Sequence, residues 1–124
     1  MRIDAAGKVG IGTTAPAYNL AVNGSIGCKE LTVTTTGWAD FVFKDNYKLP
    51  PLSEVETFIS QNKHLPGIPT EEEVAKNGVK MGDMSTKLLQ KVEELTLYMI
   101  ELKKENEDLK ARLSAIQHHL GGIN

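Results

Sequence analysis

Three glycines, a lysine and two threonines lie within the eight residues GKVGIGTT, 7–14, a composition shared with nucleotide-binding loops. A phosphate-binding loop needs a strand before it and a helix N-terminus after it, and the Walker pattern ends in Gly-Lys-Ser or Gly-Lys-Thr. Here Lys8 precedes the second glycine, and the chain continues as APAYN, which has no helix signal. The glycines alternate with Val9 and Ile11, which suits strands that meet closely at an axis where no side chain fits. We expect no nucleotide cofactor.

The metal-ligating residue types are also scattered. His64, His118 and His119 share no ligand spacing with Cys28 or with a cluster of carboxylates, and adjacent histidines point in different directions from one helix. Cys28 is the single cysteine, which excludes an intrachain disulfide and suits a small buried apolar residue. We therefore expect no metal site.

No nucleophile and base pair can be assigned either. The acids at 71–73 fall in the first turn of a predicted helix, where the helix dipole favours them. Ser53 and Ser85 are interpreted as helix caps. We predict that the chain is not an enzyme.

One group of aromatic residues has two interpretations. Packing in the core of a small domain is one, and a platform for a cell-surface sugar is the other, because amphipathic rings suit that role. The group consists of Trp38, Phe41, Phe43 and Tyr47.

The composition limits the classes of partner that the chain can bind. A net charge of −2 in 124 residues offers no basic field for nucleic acid and no cationic face for a membrane. No apolar run approaches the roughly 20 residues that span a bilayer, and the first ten residues lack a signal-peptide core. Only 6% of the chain is aromatic, which makes a large closed core within one chain doubtful.

Residues 1–36 predict short β-strands. Apolar residues alternate there in three patches, followed by turn signals of which Asn23-Gly24 is the strongest. The strands are too few and short to bury a core within one chain, so they need partners. The chain begins inside a strand pattern, and we expect a fragment of a longer protein. The three patches are Val9 with Ile11, Leu20 with Val22, and Leu31 with Val33.

Residues 37–84 predict a small α+β domain, here called the knob. Two capping boxes indicate two short helices, the second of which Asn77-Gly78 can close. The boxes are Ser53 with Glu56 and Thr70 with Glu73.

Residues 85–124 predict a coiled coil. Apolar residues recur at spacings of four and three through 33 residues, which is typical of a coiled-coil core; we call these residues the seam. A second stripe of Leu89, Leu97 and Ile100 predicts where the knob packs on the helix. The seam is Leu88, Val92, Leu95, Met99, Leu102, Asn106, Leu109, Leu113, Ile116 and Leu120.

The heptad positions predict the alignment of the helices. With Val92 at position a, Glu105 at g faces Lys110 at the following e of a neighbouring helix, which favours a parallel arrangement. Asn106 at a and leucine at d lean weakly towards two strands, so the heptad alone leaves dimer and trimer open.

Several stretches together resemble a known family. GKVGIGTTAP, YNLAVNGSI and KELTV, and then the region from WADFVFKDNYKLPP to LTLYMIEL, are similar to the C-terminal module of tail-fibre-domain proteins from phages and related elements of Bacteroidetes bacteria. The resemblance implies a homotrimeric fibre end of intertwined β-structure, a knob and a parallel coiled coil. It also implies a virion or phage-like extracellular appendage as the location.

A more distant similarity is to the intramolecular chaperone domains of endosialidase-type tailspikes, which cleave themselves at a serine followed by aspartate. The chain has TTTGWAD at the corresponding place, so no catalytic residue is transferred. The leading hypothesis is a structural, chaperone-like module for trimerisation and fibre assembly. The alternative is a receptor-binding fibre tip whose knob recognises a glycan.

Overall fold

The computed structural model of the protein describes residues 1–122 and has two compact units, Met1–Thr32 and a second that begins at Val33. It confirms an α+β chain with a long C-terminal helix. The boundary at 32/33 differs from the predicted one at 36, and the end of the predicted segment 85–124 lies outside the described residues. The elements are β1 (Arg2–Ile3), β2 (Val9–Ile11), β3 (Leu20–Val22), α1 (Leu52–Asn62), α2 (Glu71–Asn77) and α3 (Met81–Gly121).

The first unit contains one sheet in the order β1-β2-β3. β1 and β2 are antiparallel, with Ile3 opposite Val9, and β2 and β3 are parallel, with Val9 beside Leu20. The turn between β1 and β2 is held by Asp4, whose Oδ1 accepts hydrogen bonds from the Ala6 and Lys8 amides, both at 2.9 Å. Two of the three predicted strand patches are thus confirmed.

The third patch, Leu31 with Val33, is wrong as a strand. Residues 23–51 contain no strand in the structure, and the bend at Asn23-Gly24 leads to no further strand. A strand needs a neighbour to accept its ladder hydrogen bonds. Val33 instead lies beside the start of α3, where its Cγ1 would be 3.3 Å from a Cβ placed on Gly82.

In the glycine-rich loop, glycine is needed because the backbone packs closely on itself. A Cβ on the buried Gly10 would lie 2.3 Å from the carbonyl oxygen of Thr13, so the chain's own turn excludes a side chain there. Gly12 is also closely approached, because a Cβ there would lie 2.8 Å from the carbonyl oxygen of Asn23, which follows β3. Residues 12–19 form bends that lead into β3 and include no helix.

The two short helices start differently. α2 begins as predicted, with the Glu73 amide donating to Thr70 Oγ1 at 3.2 Å, and it ends at Gly78 with φ 72°. The predicted cap at Ser53 is wrong, because α1 begins one residue after Pro51 and contains Ser53. Pro51, with φ −59°, supplies the carbonyl that accepts from the Glu54 amide at 3.0 Å.

The long helix α3 begins four residues before the predicted cap at Ser85, which is therefore also wrong. Lys80 precedes its first turn without a side-chain cap, and Asp83 lies in that turn, where the dipole favours an acid. Gly82 lets residues 33–35 pack on this turn, because a Cβ there would be 3.3 Å from the Cβ of Thr35. The first turn of α3 therefore has tertiary contacts but no side-chain cap.

Candidate oligomerisation interface

The seam lies along one uninterrupted helix and is exposed over its whole length. α3 spans Met81–Gly121, so a repeat of seven residues keeps the seam on one stripe of its surface. Every seam residue, including Asn106, is solvent-exposed, and the apolar ones range from 51% exposed at Leu88 to 70% at Met99. Burying a side chain of this size is worth about 1.5–3 kcal/mol, so an uncovered stripe of nine is an unstable arrangement for a single chain in water.

The knob covers the rest of the helix where the two meet. Between residues 88 and 99, the exposed positions of α3 are its four a and d residues and one flanking threonine. All seven other residues in this stretch are buried or half-buried. The chain thus covers the outer faces of its own helix and leaves the seam face bare. The exposed residues are Leu88, Val92, Leu95, Thr96 and Met99.

A polar cluster joins the knob to the outer face of α3. The hydroxyl of Tyr47 donates a hydrogen bond to Glu94 Oε1, and Lys91 Nζ lies 3.1 Å from Glu94 Oε2. Gln90 Nε2 donates to the same carboxylate at 3.3 Å and to the Tyr47 hydroxyl at 3.4 Å. One turn further, the Tyr98 hydroxyl donates to the carbonyl oxygen of Pro50. We call these residues the Tyr47–Glu94 cluster.

Burial and hydrogen bonding shift the pKa values in this cluster. Burial would raise the pKa of Glu94, but hydrogen bonds from Tyr47 and Lys91, helped by the Lys91 charge, outweigh it and lower the pKa. The pKa of Tyr47 is raised, first by burial and then by its hydrogen bond to Glu94. Burial and the Glu94 charge likewise raise the pKa of Tyr98. The folded state therefore favours an ionised Glu94 beside two neutral phenols.

The sequence predicted this contact only in part. Leu89 and Leu97 of the predicted docking stripe are half-buried, whereas Ile100 is 44% exposed. The buried residues of the helix are Glu94 and Tyr98, which sequence reasoning missed. A tyrosine outside the seam was the one available signal, since large aromatic residues are more often covered than exposed.

The second half of α3 has no cover from its own chain. All described residues from 100 onward are exposed. Two ion pairs within the helix, Lys103–Glu107 at 3.9 Å and Asp108–Arg112 at 3.1 Å, are also exposed and each contribute a few tenths of a kcal/mol at most, about 0.3–0.5. Neither pair uses Glu105 or Lys110, the two residues that the heptad predicts to pair between helices.

None of the four aromatic residues is buried: Trp38, Phe41 and Phe43 are exposed, and Tyr47 is half-buried. Trp38 and Phe43 are 55% and 60% exposed, so the expectation that they fill the core of the knob is wrong for this chain. Phe41 packs against Tyr47 with 5.7 Å between ring centroids. The fully buried residues of the segment are Ala39 and Val42, which the sequence did not single out.

The remaining candidate residues lie apart. Cys28 is exposed, contrary to the expectation of a small buried residue, and His64 contacts the ring of Phe58 edge-on at 5.4 Å between centroids. His118 and His119 lie in the last turn of α3, where the dipole favours positive charge. Among residues 1–122, no three His, Cys, Asp or Glu side chains are grouped as metal ligands would be, and no helix is both long and apolar enough to cross a bilayer.

Comparisons with known proteins give no assignment. No family model, no curated protein and no solved structure matches the chain.

Proposed function

We propose that the chain is a structural, chaperone-like assembly module whose copies join through the seam of α3 into a parallel homotrimer. The observation that supports this most directly is the division of the helix surface between residues 88 and 99. The knob covers the outer faces, while the a and d positions stay exposed. A helix that served only its own chain would place its apolar stripe against that chain.

The length of α3 also supports a multichain assembly. The residues of α3 after Met99 are all exposed. In proteins most helical stability comes from tertiary packing of an apolar face, which this part of the helix lacks within its own chain. Pairing with other copies supplies the missing apolar contacts. Glu105 and Lys110 supply complementary charges at g and e positions for the parallel alignment.

The number three and the location rest on the resemblance to tail-fibre-domain proteins. On this proposal the module lies at the end of a tail fibre, on a virion or an extracellular phage-like appendage. Its role is to bring chains into one register, while adhesive surfaces for host attachment lie elsewhere in the fibre. No chemistry is required of it.

The test is the molar mass of full-length protein by light scattering. We expect three times the chain mass of 13.6 kDa for the wild type. Leu102→Gln with Leu109→Gln removes two d residues without adding charge and should give the monomer mass, with the Tyr47–Glu94 cluster preserved. The matched control is Lys104→Gln with Ala111→Gln, at outward f positions of the same turns, which should remain trimeric.

A dimer mass for the wild type would contradict the number three, and a monomer mass would contradict the proposal as a whole. Removal of residues 101–124 is a second check, because it leaves the knob with its contacts on α3. That shortened chain should be monomeric and retain helical signal.

A glycan-binding fibre tip remains the second candidate. The exposure of Trp38 and Phe43 favours it, because a sugar platform needs accessible rings. A glycan array separates the two functions: reproducible binding that disappears in Trp38→Ala, with the oligomer intact, would support the tip. Absence of binding to every glycan would leave assembly as the function.

A further inference from the structure

The small sheet of the first unit has one entirely aliphatic face. Paired residues on neighbouring strands point to the same side of a sheet, and residues two apart on one strand do so as well. The register of β1-β2-β3 therefore places Arg2, Gly10 and Ala21 on one face. The opposite face consists of Ile3, Val9, Ile11, Leu20 and Val22.

This aliphatic face is uncovered. Ile3 is 63% exposed, Leu20 56% and Ile11 43%, while Val9 and Val22 are half-buried. The opposite face is the better protected one at its centre, because the turn at Thr13 closes over the buried Gly10. The sheet thus exposes its aliphatic face to water, whereas its opposite face is buried at Gly10. An exposed apolar face of this kind indicates that its packing partner lies outside the unit.

We infer that the aliphatic face packs against the same face of other copies of the chain, an inference that rests on the proposed assembly function. The face carries no charge and no side-chain hydrogen-bonding group, so its partner must be equally apolar. In a three-fold assembly, the same face of each copy can point towards the shared axis and meet two equally apolar faces there. β-strands of two and three residues are also too short to be stable without further packing.

The size of the face favours a tethered copy over an independent protein. A stable interface between separate proteins uses about 20–30 residues on each side, whereas this face offers five side chains. So small a surface binds a free partner weakly. Copies already joined through α3 are present at high effective concentration, which makes a weak contact sufficient. The seam thus assembles the chains, and the aliphatic faces pair as a consequence.

The test measures how accessible the face is in the full-length protein. Cys28→Ser gives a background without a native thiol, into which Leu20→Cys and, separately, Ile26→Cys are introduced. Ile26 is the matched control, an aliphatic residue of the same unit that is 71% exposed and lies outside the sheet. Both thiols are reacted with a maleimide, and the rates are compared.

In the oligomer, we expect Leu20→Cys to react roughly tenfold more slowly than Ile26→Cys, as for a site that must open before it reacts. Adding Leu102→Gln with Leu109→Gln should make the two rates equal. If Leu20→Cys disturbs the sheet, Ile3→Cys serves as a second probe of the same face with the same expectation.

Light scattering on the same samples distinguishes the inference about the sheet from the proposed assembly function. Equal rates in a protein of trimeric mass would overturn the inference about the sheet and leave the assembly function intact. A monomeric mass would overturn both. Slow reaction of Leu20→Cys that persists after the seam is disrupted would show that the face is covered within one chain, which also overturns the inference.

Discussion

The hydroxyl of Tyr47 donates a hydrogen bond to the carboxylate of Glu94, 47 residues further along the chain. Glu94 is 8% exposed and lies at a c position of the heptad, on the opposite side of α3 from the seam. The contact therefore ties the knob to the helix without occupying the surface that we propose for assembly. Knob folding and chain pairing can use the same helix because they use different faces.

Tyr47→Phe tests the strength of this contact. The substitution keeps the ring and its packing on Phe41 but removes a donor from a buried carboxylate, which still has Lys91 and Gln90 as partners. We expect the free energy of unfolding to fall by about 1–3 kcal/mol. Chemical denaturation at fixed protein concentration measures the change. Tyr18→Phe, at a 73% exposed tyrosine, is the control and should leave stability unchanged.

The lowered pKa of Glu94 predicts how the stability of the folded protein depends on pH. Its pKa in the folded protein lies below the ordinary value of 4.5. Its contribution to stability is therefore complete above pH 4.5 and is lost as the pH falls from there towards the folded-state pKa, because the unfolded chain binds the proton first. The stability difference between wild type and Glu94→Gln should shrink over that range. Glu93→Gln, at the neighbouring position, provides the comparison; an unchanged difference for Glu94→Gln would contradict the prediction.

The two capping signals predict opposite mutational outcomes, although they look alike in the sequence. Thr70→Ala removes the acceptor of the Glu73 amide at the start of α2 and should cost about 1 kcal/mol. Ser53→Ala should cost nothing measurable, because Ser53 lies inside α1 and its side chain caps no amide. Thermal denaturation of both variants decides between them. An equal loss in the two variants would show that Ser53 caps a helix in solution.

The strands and the helix starts show which parts of the fold the sequence could and could not predict. Periodicity was sufficient for the course of α3 and for β2 and β3, because it depends on repeated apolar positions. The start of α1 was missed because Pro51 provides the first carbonyl in place of the expected serine. The start of α3 was missed because it has no side-chain cap, and the approach of Thr35 to Gly82 at its first turn joins distant residues, which no local signal encodes.

The residues of the candidate interface were predicted more completely from the sequence than the residues that hold the knob together and join it to α3. The ten seam residues follow from spacing alone, and the structure places all of them on one exposed stripe. The Tyr47–Glu94 contact was missed because an acid on a helix surface ordinarily faces solvent. Ala39 and Val42 were missed because nearby aromatic residues appeared the better core candidates, although the two small residues are the ones that the structure buries.

Asn106 provides the remaining prediction, because it is the polar member of the seam. A polar residue at one a position pairs best with its own copies in register and penalises slipped alignments, at a cost in stability. The competing explanation is that it merely interrupts an overly apolar stripe. On a single helix its side chain is exposed, so a substitution there should change stability by no more than about 0.5 kcal/mol.

Asn106→Leu should therefore raise the thermal stability of the assembly and allow the chains to form oligomers of more than one size. The added leucine is buried in every chain of a paired seam, where it gains about 1.5–3 kcal/mol per side chain, and it removes the layer that favours one register. Sedimentation and thermal denaturation at several protein concentrations measure the two effects. Lys104→Leu, at an outward f position, adds the same side chain without burying it and should change neither. If both variants behave alike, Asn106 does not lie in a paired layer, and the seam does not join the chains in the register proposed.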